Sequence, residues 1–377
     1  MKKNKKIFAI LLTLVMIAGS FAGCGPQQQP TGDTGDGEER TVIRLTIGSG
    51  HGRELTQWTY AVANHFQPTV AARVAAETNY EIYWVEAWGG AIAGLGEESV
   101  AVETGLLDVG CVIKVFEPAR FLPHLFTWYM PFGSNNPIAV GAATLQLYDE
   151  FPILREIWEG FNQKVLGSLV SDDYNLFSTF LINTVDDIRG ERIAAAGANL
   201  FWLEGTGATG VASSLAEGYT AMQTGVYDGF INPTIAQFLN RIHEVGPYLL
   251  LANFGSLHVA NLTINLDTWN SFSPEVQRIF LEEGRNTSIW QHQFTANNFQ
   301  AMLDELESEY EFVTITQLSP EERARWANML PNIVADHYIR PLMEQGIDAV
   351  AIVERFMELI REAGYEPVRE WDLSEFR

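Results

Sequence analysis

The hydrophobic pattern changes period along the chain, and each change marks an element. Residues 42–47 (VIRLTI) alternate apolar and polar positions and predict a first strand. A glycine-rich loop with His51 at its centre follows, where such a strand would open onto a cleft. Residues 54–78 carry a helical pattern with Pro68 inside it, so a kink or two short helices are expected. Residues 80–85 predict a second strand whose outgoing loop holds Glu86 and Trp88, and residues 96–105 a helix stopped by Gly105. Residues 107–113 predict a third strand. Strand, helix, strand, helix, strand is the order of a doubly wound α/β unit with a parallel sheet.

The same reading continues downstream. A helix is expected over 142–161, and strands over 164–170 and 176–182. The stretch 184–233 opens with a turn into a short strand at Ile193. It closes with a helix stopped at Gly225 and a strand that runs into the corner Asn232-Pro233. Strands over 245–251 and 259–266 are expected near a crossover between lobes. Ser273-Pro274-Glu275 has the order of a helix start, and its pattern continues to about residue 308, long enough to span two lobes. A strand over 312–316, a helix from Ser319 and a helix over 347–363 complete the chain.

With 377 residues, 47% of them hydrophobic, two domains with substantial cores are expected. Four lysines and an apolar run precede Phe21-Ala22-Gly23-Cys24, the order of a secretory signal over 1–23. The Cys after Ala-Gly resembles a bacterial lipobox, with Phe21 in place of the usual Leu. Lipidation of Cys24 is expected, followed by a flexible linker over 24–40. That leaves Cys111 as the single thiol, read as a small core residue. Formal charge is −23, and losing the four signal lysines takes it to −27 (−23 − 4), which argues against nucleic acid as a partner. Two lysines then remain against eighteen arginines (24 basic residues less six lysines). This balance suits a saline or alkaline habitat, and compositional drift accounts for it equally well.

Chemistry-bearing motifs are sparse. Gly205 to Gly210 spells Gly-x-Gly-x-x-Gly, but a helix-like stretch precedes it and none begins at Gly210, so no dinucleotide cofactor is expected. The seven histidines form no metal-ligand spacing, and no nucleophile elbow or catalytic cysteine signature is present. Neither a cofactor, a metal nor an enzyme activity is expected. The acid pairs Glu97-Glu98 and Asp172-Asp173 read as solvated neighbours. Trp58, Trp84, Trp88, Tyr174, Trp202 and Tyr219 fall near strand ends and loops, with about half expected in the core and the rest lining a cleft.

The ordered motifs resemble the DctP-type solute-binding proteins of TRAP transporters. The segments that carry the likeness run in family order: Gly105-Leu106-Leu107-Asp108-Val109-Gly110, Met130-Pro131-Phe132, Ile188-Arg189-Gly190-Glu191-Arg192-Ile193, Ala221-Met222-Gln223-Thr224-Gly225-Val226-Tyr227-Asp228-Gly229 and Asn232-Pro233. The resemblance covers most of residues 41 to about 350. It implies a type II-like periplasmic-binding fold of two hinge-linked lobes, each a sheet flanked by helices. Lobe 1 would hold 41–171 plus about 258–297 and lobe 2 172–257 plus about 298–345, with a C-terminal helix and tail over 346–377. It implies an extracytoplasmic protein that binds a small polar solute, an organic acid among the candidates, and passes it to TRAP membrane subunits. A binding protein of another importer, a sensor and an extracytoplasmic enzyme are the rival readings.

The resemblance also implies a ligand role for Asn232. It places Ala194 where the family carries the Arg that clamps a carboxylate, and Tyr174 or Asn175 where a second Arg would stand. Arg192 shares the strand face of Ala194 and is the candidate substitute. Glu86 together with aromatics would favour a neutral or cationic ligand instead.

Overall fold

The structure, a computed structural model, describes residues 40–376; the signal segment, Cys24 and nearly all of the expected linker lie outside them. Ten strands form the sheet system: β1 Thr41–Gly48, β2 Tyr80–Ala87, β3 Val109–Ile113, β4 Gln163–Ser178, β5 Arg192–Ala195, β6 Thr209–Ala212, β7 Gly229–Pro233, β8 Tyr248–Leu251, β9 Ser256–Asn265 and β10 Thr314–Gln317. Their order is β2-β1-β3-β9-β4-β7-β5-β6, with β8 paired to β4 and β10 to β8. The strands β1, β2 and β3 run parallel, as their crossover helices require. Antiparallel β9 and the first half of β4 complete that sheet, and the second half of β4 pairs with β7 and β8 in the other.

The strand β4 therefore belongs to both sheets. The sequence pattern predicts two strands, 164–170 and 176–182, with 171–175 between them and Asp172-Asp173 solvated. Instead Ser171, Asp172 and Asp173 are all buried within one strand of 16 residues. Their polar atoms find partners across the junction. Ser171 Oγ accepts from Leu257 N at 3.0 Å, and Asp173 accepts from Gly255 N at 2.8 Å and from Asn175 Nδ2 at 3.2 Å. Asp172 takes Gln57 Nε2 at 2.5 Å on one side and Ile235 N at 2.8 Å on the other. Polar residues that find buried partners do not interrupt a strand.

The helix Pro274–Glu309, 36 residues long and capped by Ser273, lies along β4. Two glycines make the approach possible. A Cβ on Gly284 would collide with the Leu166 carbonyl, and one on Gly167 would come within 2.7 Å of Gly284 O. Along this face β4 slips its register against β9 three times, between Val165 and Gly167, between Leu169 and Val170 and between Val170 and Asp173. The helix supplies partners to the backbone there. Ser288 Oγ accepts from Ser168 N at 3.0 Å, and the Gln291 amide accepts from Val170 N at 3.1 Å while donating to Val170 O at 2.7 Å.

Other elements follow their local chemistry. The helical stretch before β2 is two helices, Gln57–Ala61 and Gln67–Glu77, joined by a π-turn at Val62–Phe66. A wider turn just ahead of Pro68 accommodates its ring and its missing N–H. A second π-turn, Ala335–Ile339, stands in the same relation to Pro341. The expected helix over 142–161 is two helices, Pro137–Glu150 and Ile153–Gly160, parted at Pro152, and Asn136 caps the first. The Gly205–Gly210 segment leads into β6, a strand, which removes the structural context of a dinucleotide loop. Cys111 is buried on β3, where burial pushes its thiol pKa up. Of the Glu97-Glu98 pair, Glu97 is exposed, but Glu98 is buried and accepts from Gly50 N at 3.1 Å and Gly96 N at 2.9 Å. Burial pushes its pKa up to about 8. Among the described residues no helix is long and apolar enough to cross a membrane.

Two outcomes are expected from these contacts. Gly284→Ala should cost about 1–3 kcal/mol of stability through overpacking, read as a lower urea midpoint. Gln291→Ala should cost about 2 kcal/mol, because it strands both polar groups of Val170. Unchanged midpoints would remove the role given to this contact. The Asp172 carboxyl has its pKa pushed up to about 7 by burial, so between about pH 4 and 7 the folded chain holds a proton that the unfolded chain releases. Wild type must then lose stability relative to Asp172→Asn as pH rises through that window, by at most about 1.4 kcal/mol per pH unit. The measurement is denaturant unfolding of both proteins at pH 4.5, 6 and 8; a constant difference would refute it.

Candidate functional site

The carboxyl ends of β1, β3, β5 and β7 converge on a small cavity of about 20 Å³ between the two sheets, room for about one water molecule. Such ends are where open α/β sheets bind ligands. His51, in the loop after β1, and Trp58, in the first helix, form one wall. Ile113, Val115 and Phe116, at and just after the end of β3, form the next, with Trp128 and Val259 behind them. Tyr174 on β4, Ala196 after β5, Leu215 at the start of the helix Leu215–Gln223 and Asn232 on β7 close the opposite side. Apart from His51 and Asn232 the lining is aliphatic or aromatic, a usual composition for a small-molecule pocket.

The local sequence explains how His51 is held. Gly89 N donates to His51 O at 2.9 Å and Gly90 N to Ser49 O at 3.1 Å, both glycines at positive φ. The Trp88-Gly89-Gly90 loop thus clasps the His51 loop while the Trp88 ring packs outside the cavity. Trp58 Nε1 donates to His51 Nδ1 at 3.2 Å. An indole is a donor only, so His51 Nδ1 must be the acceptor and Nε2 carries the hydrogen. Burial holds the imidazole pKa down to about 4, so the ring is neutral at ordinary pH. Its Nε2 has no partner in the protein, and neither has Asn232 Nδ2. The Asn232 backbone is fixed by Gln237 Nε2, which donates to its carbonyl at 2.8 Å.

Of the residues expected at the site, His51, Tyr174 and Asn232 are brought together on the cavity wall. Trp202 stands one layer behind, edge-on to Tyr174 at 5.5 Å, with its Nε1 donating to Trp128 O. Asn175 points into the junction between the sheets, where its amide meets Asp173, Thr234 and Asn253 N. Ala194 is fully buried in β5, in register with Phe230 and Val211, and the cavity is reached two residues later by Ala196.

Four expectations are placed elsewhere. Arg192 sits at the amino end of β5, the end opposite the cavity. Its guanidinium forms a double bond pair with Asp228, at 2.8 and 2.9 Å, and caps the helix end through Gly225 O and Val226 O. It has the right strand face and the wrong end of the strand. Glu86 is engaged by Gln67 Nε2 at 3.2 Å and by Arg53 at 3.4 Å, near the surface. Trp88 packs behind the His51 loop, and the Tyr219 hydroxyl donates to Glu244 at 3.2 Å while Leu215, one helical turn earlier, reaches the cavity.

The sequence reading missed Trp128, Phe116, Val115 and Leu215. The first three lie in short 3-10 turns, Lys114–Phe116 and Phe126–Tyr129, which have no hydrophobic period to detect. Among the described residues no group of three His, Cys, Asp or Glu side chains is placed to hold a metal ion.

Comparison with known proteins agrees with this architecture. A crystal structure of a TRAP solute-binding protein from Rhodoferax ferrireducens with copurified benzoate superposes with a TM-score of 0.75, at 16% identity, over 85% of this chain and 98% of that one. One from Desulfovibrio salexigens gives 0.73 at 20% identity, over 89% and 99%. In sequence, a solute-binding protein of Sulfitobacter sp. strain NAS-14.1 is 27% identical over 50% of this chain and 57% of its own length. The C4-dicarboxylate-binding periplasmic protein of Rhodobacter capsulatus is 31% identical over 33% of this chain and 37% of its own. These sequence matches span little more than half of either relative, or less. The model of bacterial extracellular solute-binding protein family 7 matches residues 55–341, and the chain belongs to that family, the DctP-type binding proteins of TRAP transporters.

Proposed function

We propose that this protein captures a small organic solute between its two lobes outside the cytoplasm and delivers it to the membrane subunits of a TRAP transporter. The observation that carries the reading is the cavity itself. It lies where both sheets contribute walls, and two buried side chains, His51 and Asn232, leave nitrogens without protein partners there. Buried polar atoms are ordinarily paired, so orphans on two residues that line one cavity point to a ligand. Solved relatives carry small organic acids: benzoate in the Rhodoferax protein and pyroglutamate in one from a marine metagenome. A solute-binding role in another importer or a sensor would use the same cavity. Neighbouring genes for TRAP membrane subunits separate these readings.

The lobes in this proposal are residues 41–171 with about 258–297, and 172–257 with about 298–345. The residues 346–377 form a C-terminal helix and tail. Support comes from Asp172 and Asp173, which sit where β4 passes from one sheet to the other. Opening would bend the chain there and at the loop before β9. Cys24 carries the lipid, and residues 24–40 tether the body to the outer face of the cell membrane.

Two measurements test this. Trp58 and Trp128 line the cavity, so a bound solute should change tryptophan emission and raise the melting temperature together. At a concentration one hundred times its dissociation constant, a solute adds about 2.7 kcal/mol of stability. A screen of carboxylates, amides, sugars, polyols and amines that moves neither signal would count against solute capture. For the anchor, Cys24→Ala in the full chain should move the protein from the membrane fraction to the soluble fraction; retention on the membrane would exclude lipidation at Cys24 as its attachment.

A further inference from the structure

The cavity has donors and no charge. Resting on the solute-binding reading above, we infer that it selects an uncharged solute, a compact and mainly apolar molecule bearing a carbonyl-type acceptor, in preference to the corresponding carboxylate. The fixed element is His51. Trp58 occupies its Nδ1, so Nε2–H is a donor that no protein group satisfies. The ring is 6% exposed, so water reaches it little. Asn232, 4% exposed, adds an amide with an unpartnered nitrogen on the other side of the same cavity. Once the two sheets part enough to admit it, an amide, lactam, lactone or ketone oxygen would satisfy His51 and reach toward Asn232, its carbon body against Trp58, Trp128, Tyr174 and Val259.

A carboxylate fits this environment poorly. The position that would clamp it is Ala194, walled in by Phe230 and Val211. Arg192 is held by Asp228 at the far end of the strand. Lys114 is fully buried with its side-chain nitrogen 3.2 Å from His258, burial holding its pKa well below the ordinary lysine value, and Arg323 directs Nε and Nη2 to Asn253 O. None of these basic side chains lines the cavity. The buried acids Asp172 and Asp173 directly precede Tyr174 in β4, so any ionisation there repels an anion further. Enclosing a carboxylate without a countercharge costs more than two neutral hydrogen bonds return. A cation is disfavoured too, because the lining holds no carboxylate and His51 Nε2–H cannot accept from an ammonium.

The test uses matched pairs at pH 8, titrated into the protein and followed by tryptophan emission and calorimetry: benzamide against benzoate, and 2-pyrrolidinone against pyroglutamate. The neutral member of at least one pair should bind about a hundred-fold more tightly than its acid. His51→Leu should weaken that binding about ten-fold, and His51→Gln, which keeps an N–H, should recover most of it. Equal or tighter binding of the acids overturns the inference and leaves solute capture standing. So does acid binding that strengthens as pH falls and depends on His51, since that would make His51 a cationic clamp. Silence from both pairs and from the wider screen would sink both readings.

Discussion

The contact between β4 and the helix Pro274–Glu309 is the constraint on which the rest of the molecule depends. β4 serves two sheets at once, and it can do so only by slipping register against β9 as the pairing partner changes. Each slip leaves backbone groups without a ladder partner in a buried place, which is costly. Ser288 and Gln291 supply those partners, and Gly167 and Gly284 let the helix come close enough for them to reach. The price of a shared strand is thus met by four small or amide residues.

Farther along β4 the same strand supplies the junction. Asp172 bonds to Gln57 in the first helix and to Ile235 N in the helix Thr234–Leu239, while Asp173 holds the loop that leads into β9. The next residue, Tyr174, is on the cavity wall. The groups that tie the two sheets together are therefore covalent neighbours of one that faces the solute. A change in protonation at Asp172 or Asp173 is felt both in stability and beside the binding cavity, because the two burdens share three consecutive residues.

Much of the fold was legible beforehand. Strands over 42–47, 80–85 and 107–113 and the long helix from Ser273 were visible because alternation, caps and glycine stops are local properties. The gap expected over 171–175 is continuous strand and Asp172-Asp173 is buried, since the partners that make residues 171–173 buriable come from residues 57, 235, 255 and 257. Part of the site was legible too. His51 was placed by its loop at a strand end, Asn232 by its family corner, and both line the cavity. Arg192 lies away from this cavity, because strand parity tells which face a side chain takes and says nothing of which end of the strand meets the cleft.

By itself the sequence determined the element types, the absence of an arginine at 194 and the membership in a solute-binding family. Each of these follows from residue identity or from spacing within a few turns. Only the tertiary structure decided that β4 is continuous, that Glu98, Asp172 and Asp173 are buried, and that the cavity is closed by Trp128, Phe116 and Leu215. It alone decided the tautomer of His51, because that depends on Trp58 approaching from another element. The physical reason is common to all four: burial and hydrogen-bond pairing are properties of contacts between segments distant in the chain, and no local pattern encodes them.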